Sequence, residues 1–286
     1  MLVDVADTRL HVVERGEGLP LIALHGGPGL DHTTFGTALD GLGVRLLLVD
    51  QRAQGRSDPA PPESWTIARM ARDVGDLAAA LGLERYAVLG HSYGAMVALQ
   101  HAVDAPRGPV ATVISSGVAS SSALMPFVEA QLAAFEPVEL REQVTASWAA
   151  EAEARTQADC AALLRDQLPF HFADPRDERI EAMLADMADA VYAPDVLRAG
   201  ATTDYGGIKV VDRLGEIAHP VLVVAGRHDR TCSAAAGEQI AAGVPGAELE
   251  VLERSGHMGF VEEPGAYVAR VGDFLARADA ARSASR

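Results

Sequence analysis

The pentapeptide Gly90-His91-Ser92-Tyr93-Gly94 has the G-x-S-x-G spacing of a serine presented for nucleophilic attack. It follows the apolar run Tyr86–Gly90 and opens a helical pattern from Tyr93 to about Ala105. A chain that turns this sharply from strand to helix brings its own backbone into near contact, so glycine is needed on both sides of the serine. The turn also lifts the hydroxyl above the sheet. A hydroxyl is a poor nucleophile and needs a base within hydrogen-bond reach, with a third group orienting that base. Asp229 stands in Gly226-Arg227-His228-Asp229, just past the apolar run Pro220–Gly226. His257 stands in Ser255-Gly256-His257-Met258, just past Ala247–Leu252. The order Ser, Asp, His, each at the C-terminal end of an apolar run, predicts acyl transfer. Ser92 is then the nucleophile, His257 the general base and Asp229 its orienting acid.

Acyl transfer develops an oxyanion that needs two fixed N–H donors. His25-Gly26-Gly27-Pro28-Gly29 follows the run Pro20–His25 directly, and its glycines let the backbone turn tightly toward a substrate. The expected donors are the backbone N–H groups of Gly27 and Tyr93, the latter following the nucleophile. The remaining histidines offer no rival. His228 is next to the acid and on the wrong strand, and His91 is expected to pack beneath the elbow. His25, His32, His101, His171 and His219 lack metal-ligand spacing and are assigned structural or surface roles. Cys160 and Cys232 have no metal or redox motif around them, so no metal and no other cofactor is expected.

The elements that must hold these residues are legible as an alternation. Short apolar runs (Pro20–His25, Val44–Asp50, Tyr86–Gly90, Val110–Ser115, Pro220–Gly226, Ala247–Leu252) read as strands of a mostly parallel sheet. Arg9–Glu14 alternates polar and apolar residues, as an antiparallel edge strand would. Between the runs lie helices. In Trp65–Leu81 the residues Ile67, Met70, Ala71, Val74, Leu77, Ala78 and Leu81 form one stripe, with Ser64 or Thr66 as cap and Gly82 as terminator. Further helices are expected near Ala234–Ala242 and over Gly265–Ala278, with a frayed tail over Ala281–Arg286.

The alternation breaks from Val118 to Tyr205, which has no clear strand, many Ala, Glu and Leu residues, and breakers at Pro126, Pro137, Pro169, Pro175 and Pro194. Several short helices inserted between two strands suggest a helical cap over the sheet edge where α/β folds place ligands. The expected division is a core of residues 1–117 and 206–286, with a cap of 118–205.

The chain has 286 residues and a net charge of −16, with acids spread along it, which argues against nucleic acid and anionic membranes as partners. It has no run of about 18 apolar residues, and its first residues lack the basic and apolar regions of a signal peptide. The expectation is a cytoplasmic protein acting on a small molecule or short peptide, of unknown oligomeric state.

His25-Gly26-Gly27-Pro28-Gly29, then Asp50-Gln51-Arg52-Ala53-Gln54-Gly55-Arg56-Ser57-Asp58, then the elbow, resemble the proline iminopeptidases and related aminopeptidases of the α/β-hydrolase superfamily. The match spans most of the chain outside the insertion. The resemblance implies the α/β-hydrolase fold with a helical cap, no metal, and removal of N-terminal residues from small peptides or amides. It carries the triad and loop roles over to Ser92, Asp229, His257 and Gly27. Two positions depart from the pattern. Proline iminopeptidases have Gly-Gly-Ser-Trp-Gly at the elbow, where this chain has His91 and Tyr93. Tricorn-interacting aminopeptidases follow the acid with a Glu that binds the substrate amine, where this chain has Arg230. Glu129, Glu136, Asp195 or Asp204 in the insertion could supply that acid, and nothing in the sequence selects one. An esterase or lactonase on small molecules is the alternative, since one triad serves esters and amides alike. A non-catalytic binding protein on the same fold would commonly have lost a triad member, and haloalkane-type hydrolysis would need a carboxylate at position 92.

Overall fold

The computed structural model describes residues 1–283, apart from the side chains of Ala123, Asp204, Arg282 and Ser283. Its strands are β1 (Leu2–Val5), β2 (Thr8–Arg15), β3 (Pro20–Leu24), β4 (Arg45–Val49), β5 (Ala87–His91), β6 (Ala111–Ser115), β7 (Val221–Gly226) and β8 (Glu248–Leu252). They form one sheet in the order β1-β2-β4-β3-β5-β6-β7-β8, parallel from β4 to β8, with β1 and β2 antiparallel. The central strands read as unbroken apolar runs because both faces are covered. Ile22, Leu24, Leu47, Val88 and Ile114 enter the core on one face, and Leu21, Ala23, Leu46, Leu89 and Val113 the core on the other.

Helices α1 (Ile67–Ala80), α2 (Tyr93–Asp104) and α8 (Ala234–Gly243) pack on the first face, and α10 (Pro264–Ser283) on the second. Thr66 caps α1, its side chain accepting the Arg69 N–H, and Gly82 follows the helix at a φ of +63°, as the sequence predicts. Between β6 and β7 the chain forms five helices: α3 (Leu124–Ala133), α4 (Val138–Ala150), α5 (Gln157–His171), α6 (Arg179–Asp186) and α7 (Pro194–Ala201). The short α9 (Gly259–Glu262) precedes α10. Among the described residues no helix is long and apolar enough to cross a membrane.

Three expectations need correction. β2 is not the edge strand, because β1 pairs with it from Leu2 opposite His11 to Val5 opposite Thr8. Four residues ahead of a tight turn are too few to display an alternation. Pro126 and Pro169 do not break helices. Pro126 falls in the first turn of α3, where a missing N–H costs nothing, and Pro169 in the last turn of α5, where only the end of the ladder is affected. In the tail, α10 continues to Ser283, and residues 284–286 lie outside the described residues.

Candidate active site

Ser92 links β5 to α2 at φ 55°, ψ −117°, a strained conformation for a residue with a side chain. Such strain costs on the order of 1–3 kcal/mol and persists only where the surroundings impose it. Both glycines of the motif are dictated by contact. A Cβ on Gly90 would lie 2.1 Å from the Gly94 carbonyl oxygen, and one on Gly94 would lie 2.2 Å from that of Leu24. The Ser92 N–H donates to the Ser115 carbonyl at 2.9 Å, which pins the elbow to β6.

Asp229 follows β7 and His257 follows β8, so adjacent parallel strands deliver both to the sheet edge that carries Ser92. His257 Nδ1 lies 2.7 Å from Asp229 Oδ2. The other carboxylate oxygen accepts the N–H groups of Thr231 and Cys232 and the Thr231 hydroxyl, each at 2.8 Å. Burial alone would raise the Asp229 pKa. The charge and hydrogen bond of His257, with the two backbone N–H groups, outweigh it and hold the acid below its ordinary value. With Nδ1 facing the carboxylate as donor, Nε2 is left as the acceptor, which is the tautomer a general base needs. His257, Ser92 and Gly27 line one cavity.

The Gly27 loop lies against the serine, since a Cβ on Gly26 would stand 3.3 Å from that of Ser92. Gly27 itself has φ +126°, a region closed to other residues. The Asp50–Asp58 segment buttresses this loop. The Gln51 side-chain amide donates to the His25 carbonyl at 2.9 Å, and the Gly29 N–H donates to Gln54 Oε1 at 2.7 Å. Arg52, fully buried, clamps both Asp73 carboxylate oxygens on α1 at 2.8 Å. Tyr93 is the first residue of α2, so its N–H is one of the helix's free N-terminal donors.

His91 is buried beneath the elbow as expected, its ring edge-on to Phe260 and 4.9 Å from that of His257. Burial drives its pKa well below the ordinary value. His171 lies close by. It ends α5 and lines the cavity, its ring 5.2 Å from that of His257, and its carbonyl accepts the His257 N–H at 2.6 Å. Burial lowers its pKa to about 4.

The inserted helices roof the cavity, which has two lobes meeting over Ser92. Leu30, Leu163, Leu164, Leu197 and Met258 line one, and Tyr93, Met96, Leu124, Val128, Trp148 and Cys232 the other. Both lobes share Glu151, in the turn that continues α4. Glu151 is only 4% exposed. Its two carboxylate oxygens accept from the Gln167 amide at 2.8 Å and from the Tyr205 hydroxyl at 2.7 Å. Burial raises its pKa, opposed by those two hydrogen bonds.

Sequence reasoning missed Glu151, because nothing local separates it from the exposed Glu153 two residues on. Of the acids named instead, Glu129 is exposed, Glu136 faces Arg141 at 3.5 Å and Asp195 pairs with Arg198, all outside the cavity lining. The Asp204 side chain lies outside the described residues. Arg230 does not enter the cavity either. Its guanidinium donates to the carbonyls of Phe170, Phe172 and Ala173 at 3.2, 2.6 and 3.0 Å and stacks 4.9 Å above the Phe135 ring.

Residues 20–264 match the family of the α/β-hydrolase fold, and the chain belongs to that family. It is a proline iminopeptidase-like hydrolase. The proline iminopeptidase of Heyndrickxia coagulans is 28% identical over 275 residues, covering 92% of each chain. The solved proline iminopeptidase of Mycobacterium smegmatis is 26% identical, covers 99% of both chains and superposes with a TM-score of 0.76. Est816, an N-acyl homoserine lactone degrading enzyme, is also 26% identical, with 96% of this chain and 100% of that one covered and a TM-score of 0.72.

Proposed function

We propose that the protein is an aminopeptidase or amidase that cleaves small substrates with a free amine, through an acyl-enzyme on Ser92. Glu151 is the observation that carries this reading. A carboxylate in a largely apolar cavity is costly to desolvate, and its two neutral donors compensate only in part. A substrate ammonium supplies the missing countercharge. Tyr205 and Gln167 both donate to Glu151, so both carboxylate oxygens are oriented as acceptors, and a bound ammonium would favour the ionised form that burial disfavours. Arg230 is occupied with carbonyls and does not oppose the ammonium.

In this reading residues 118–205 act as a cap that supplies amine recognition, and residues 1–117 and 206–286 supply the chemistry. His257 Nε2 takes the Ser92 proton as Oγ attacks the scissile carbonyl. The N–H groups of Gly27 and Tyr93 stabilise the oxyanion, and Asp229 stabilises the imidazolium. His257 then protonates the departing amine, and water releases the acyl group by the reverse sequence. The substrate is a short peptide or small amide, and the free, buried Cys160 and Cys232 suit a cytoplasmic setting.

The second reading is an esterase or lactonase, favoured by the two apolar lobes and by the likeness to Est816. The deciding comparison is kcat/KM for alanine and proline p-nitroanilide against their N-acetylated forms. A Glu151–ammonium pair predicts a free-amine preference of about 2–5 kcal/mol, abolished in Glu151→Gln. Equal rates, or faster turnover of the acetylated substrate, select the esterase.

A further inference from the structure

His11 on β2, His32 in the turn after the Gly27 loop and Asp50 at the end of β4 share no spacing motif, yet the fold brings them together. His32 Nδ1 lies 2.6 Å from Asp50 Oδ1, and His11 Nδ1 lies 3.2 Å from Asp50 Oδ2. All three donor atoms fall within 4.8 Å of one another. The carboxylate is rigid. Its oxygens accept the backbone N–H groups of His32 at 2.9 Å and Arg56 at 2.8 Å, and a Cβ on Gly55 would stand 2.4 Å from its carbon. One lone pair on each oxygen then faces an imidazole.

The two imidazoles are not equivalent. His32 donates to its oxygen, whereas His11 Nδ1 is buried and has no hydrogen-bond partner. With no hydrogen bond made between Nδ1 and the carboxylate oxygen 3.2 Å away, a cation set between the two atoms would give both a partner. That spacing matches the edge of a tetrahedron with metal–ligand bonds of about 2.0–2.1 Å. The nearby cations are already engaged, Arg56 with Asp31 at 2.7 Å and the Met1 ammonium with the Val12 carbonyl at 2.7 Å. The imidazole side chains are 19% and 14% exposed, so the cluster lies just beneath the surface.

We propose that His11, His32 and Asp50 form a binding site for a first-row transition-metal dication of the zinc type, distinct from the Ser92 site. Two imidazole nitrogens and one carboxylate oxygen suit zinc, cobalt or nickel rather than magnesium or calcium, which take oxygen sets. On binding, His32 moves its proton from Nδ1 to Nε2, so the neutral ring still serves as ligand. The ion would tie β2 to the loop that carries Gly27, and its effect is on stability rather than on a step of hydrolysis. The inference rests on no part of the hydrolase reading.

The test uses the full chain stripped with EDTA and exchanged into metal-free buffer, titrated with Co²⁺ by visible absorption and with Zn²⁺ by calorimetry. Expected are one equivalent per chain, a cobalt d–d band and a rise in Tm of several degrees. His11→Phe and His11→Asn should lose all three while keeping metal-free arylamidase activity within about twofold of the parent chain. No saturable binding at millimolar Co²⁺, or binding in both variants equal to that of the parent, overturns the site. A parent chain that gains no stability from metal but is destabilised by both substitutions in metal-free buffer also overturns it, since the histidines are then a hydrogen-bonded clamp.

Discussion

Asp229 and Glu151 are both buried carboxylates, and the balance of burial against hydrogen bonding shifts their pKa values in opposite directions. Asp229 gains an imidazole and two backbone N–H groups and is held ionised, whereas the two neutral donors of Glu151 do not offset its burial. Ser92→Ala should lower kcat/KM by several orders of magnitude with an unchanged circular dichroism spectrum, and His257→Ala nearly as far. Asp229→Asn, which supplies the wrong tautomer partner, should cost about 10⁴ in kcat. A mild Asp229→Asn effect alongside a severe one at another Asp would refute the assignment of the acid. Because the folded-state pKa of Glu151 is raised, its protonated form is the one the fold favours. That stabilisation is fully present below the unfolded pKa of 4.5 and is lost as pH rises through the raised folded value. Glu151→Gln should therefore melt at a higher temperature than the parent chain at pH 7–8, by a margin that narrows toward pH 4. In the parent chain, kcat/KM for free-amine substrates should fall as acid protonates Glu151. A variant that melts lower at pH 8 contradicts this account. The placement of Ser92, Asp229 and His257 at one sheet edge was legible because each sits in a short loop after a strand, where neighbours in sequence are neighbours in space. Glu151 was not, because its role depends on Gln167 and Tyr205, which the fold brings to it from other elements.

At the level of elements, the insertion is fastened to the loops bearing Asp229 and His257. Arg230 holds the carbonyls of Phe170, Phe172 and Ala173, and the His257 N–H reaches the His171 carbonyl. Glu262 accepts from the Ala173 N–H at 2.7 Å and from those of Gly256 and Met258 at 2.9 and 3.2 Å. A Cβ on Gly256 would lie 2.6 Å from the His171 carbonyl oxygen, so glycine is required where the insertion meets the His257 loop. Arg230→Ala leaves three carbonyls without this donor, at about 1–3 kcal/mol of stability in all. It should also lower kcat about 10- to 100-fold by loosening His257. Stopped-time assays with thermal melts check both. A loss of stability with kcat unchanged would make the contact a fastening alone. The direction of the Arg230 side chain was not legible in the sequence, because it is set by the segment it meets, 58 residues away at Phe172. Helix α1 was legible to within two residues at each end, since its stripe, cap and terminator all lie within one window. β1 was hidden because, among the described residues, it pairs within the sheet with β2 alone.

Across the whole molecule, the parallel sheet was the most readable feature, because strands covered on both faces must be apolar at nearly every position. Its order, with β3 set between β4 and β5, is written in no local pattern and follows from how the crossovers pack. That order delivers Ser92, Asp229 and His257 to one edge, under inserted helices that contribute Glu151 and His171. Hydrolysis through Ser92 is the claim on which the substrate proposals depend. The most direct measurement is titration with an alkyl fluorophosphonate, followed by peptide mapping and by assay of p-nitroanilide and p-nitrophenyl ester turnover. One phosphonyl group per chain, carried on Ser92, should abolish both activities in proportion to labelling, and Ser92→Ala should remain unlabelled. Turnover persisting in fully phosphonylated protein, or stoichiometric inactivation by a label on another residue, would contradict the account.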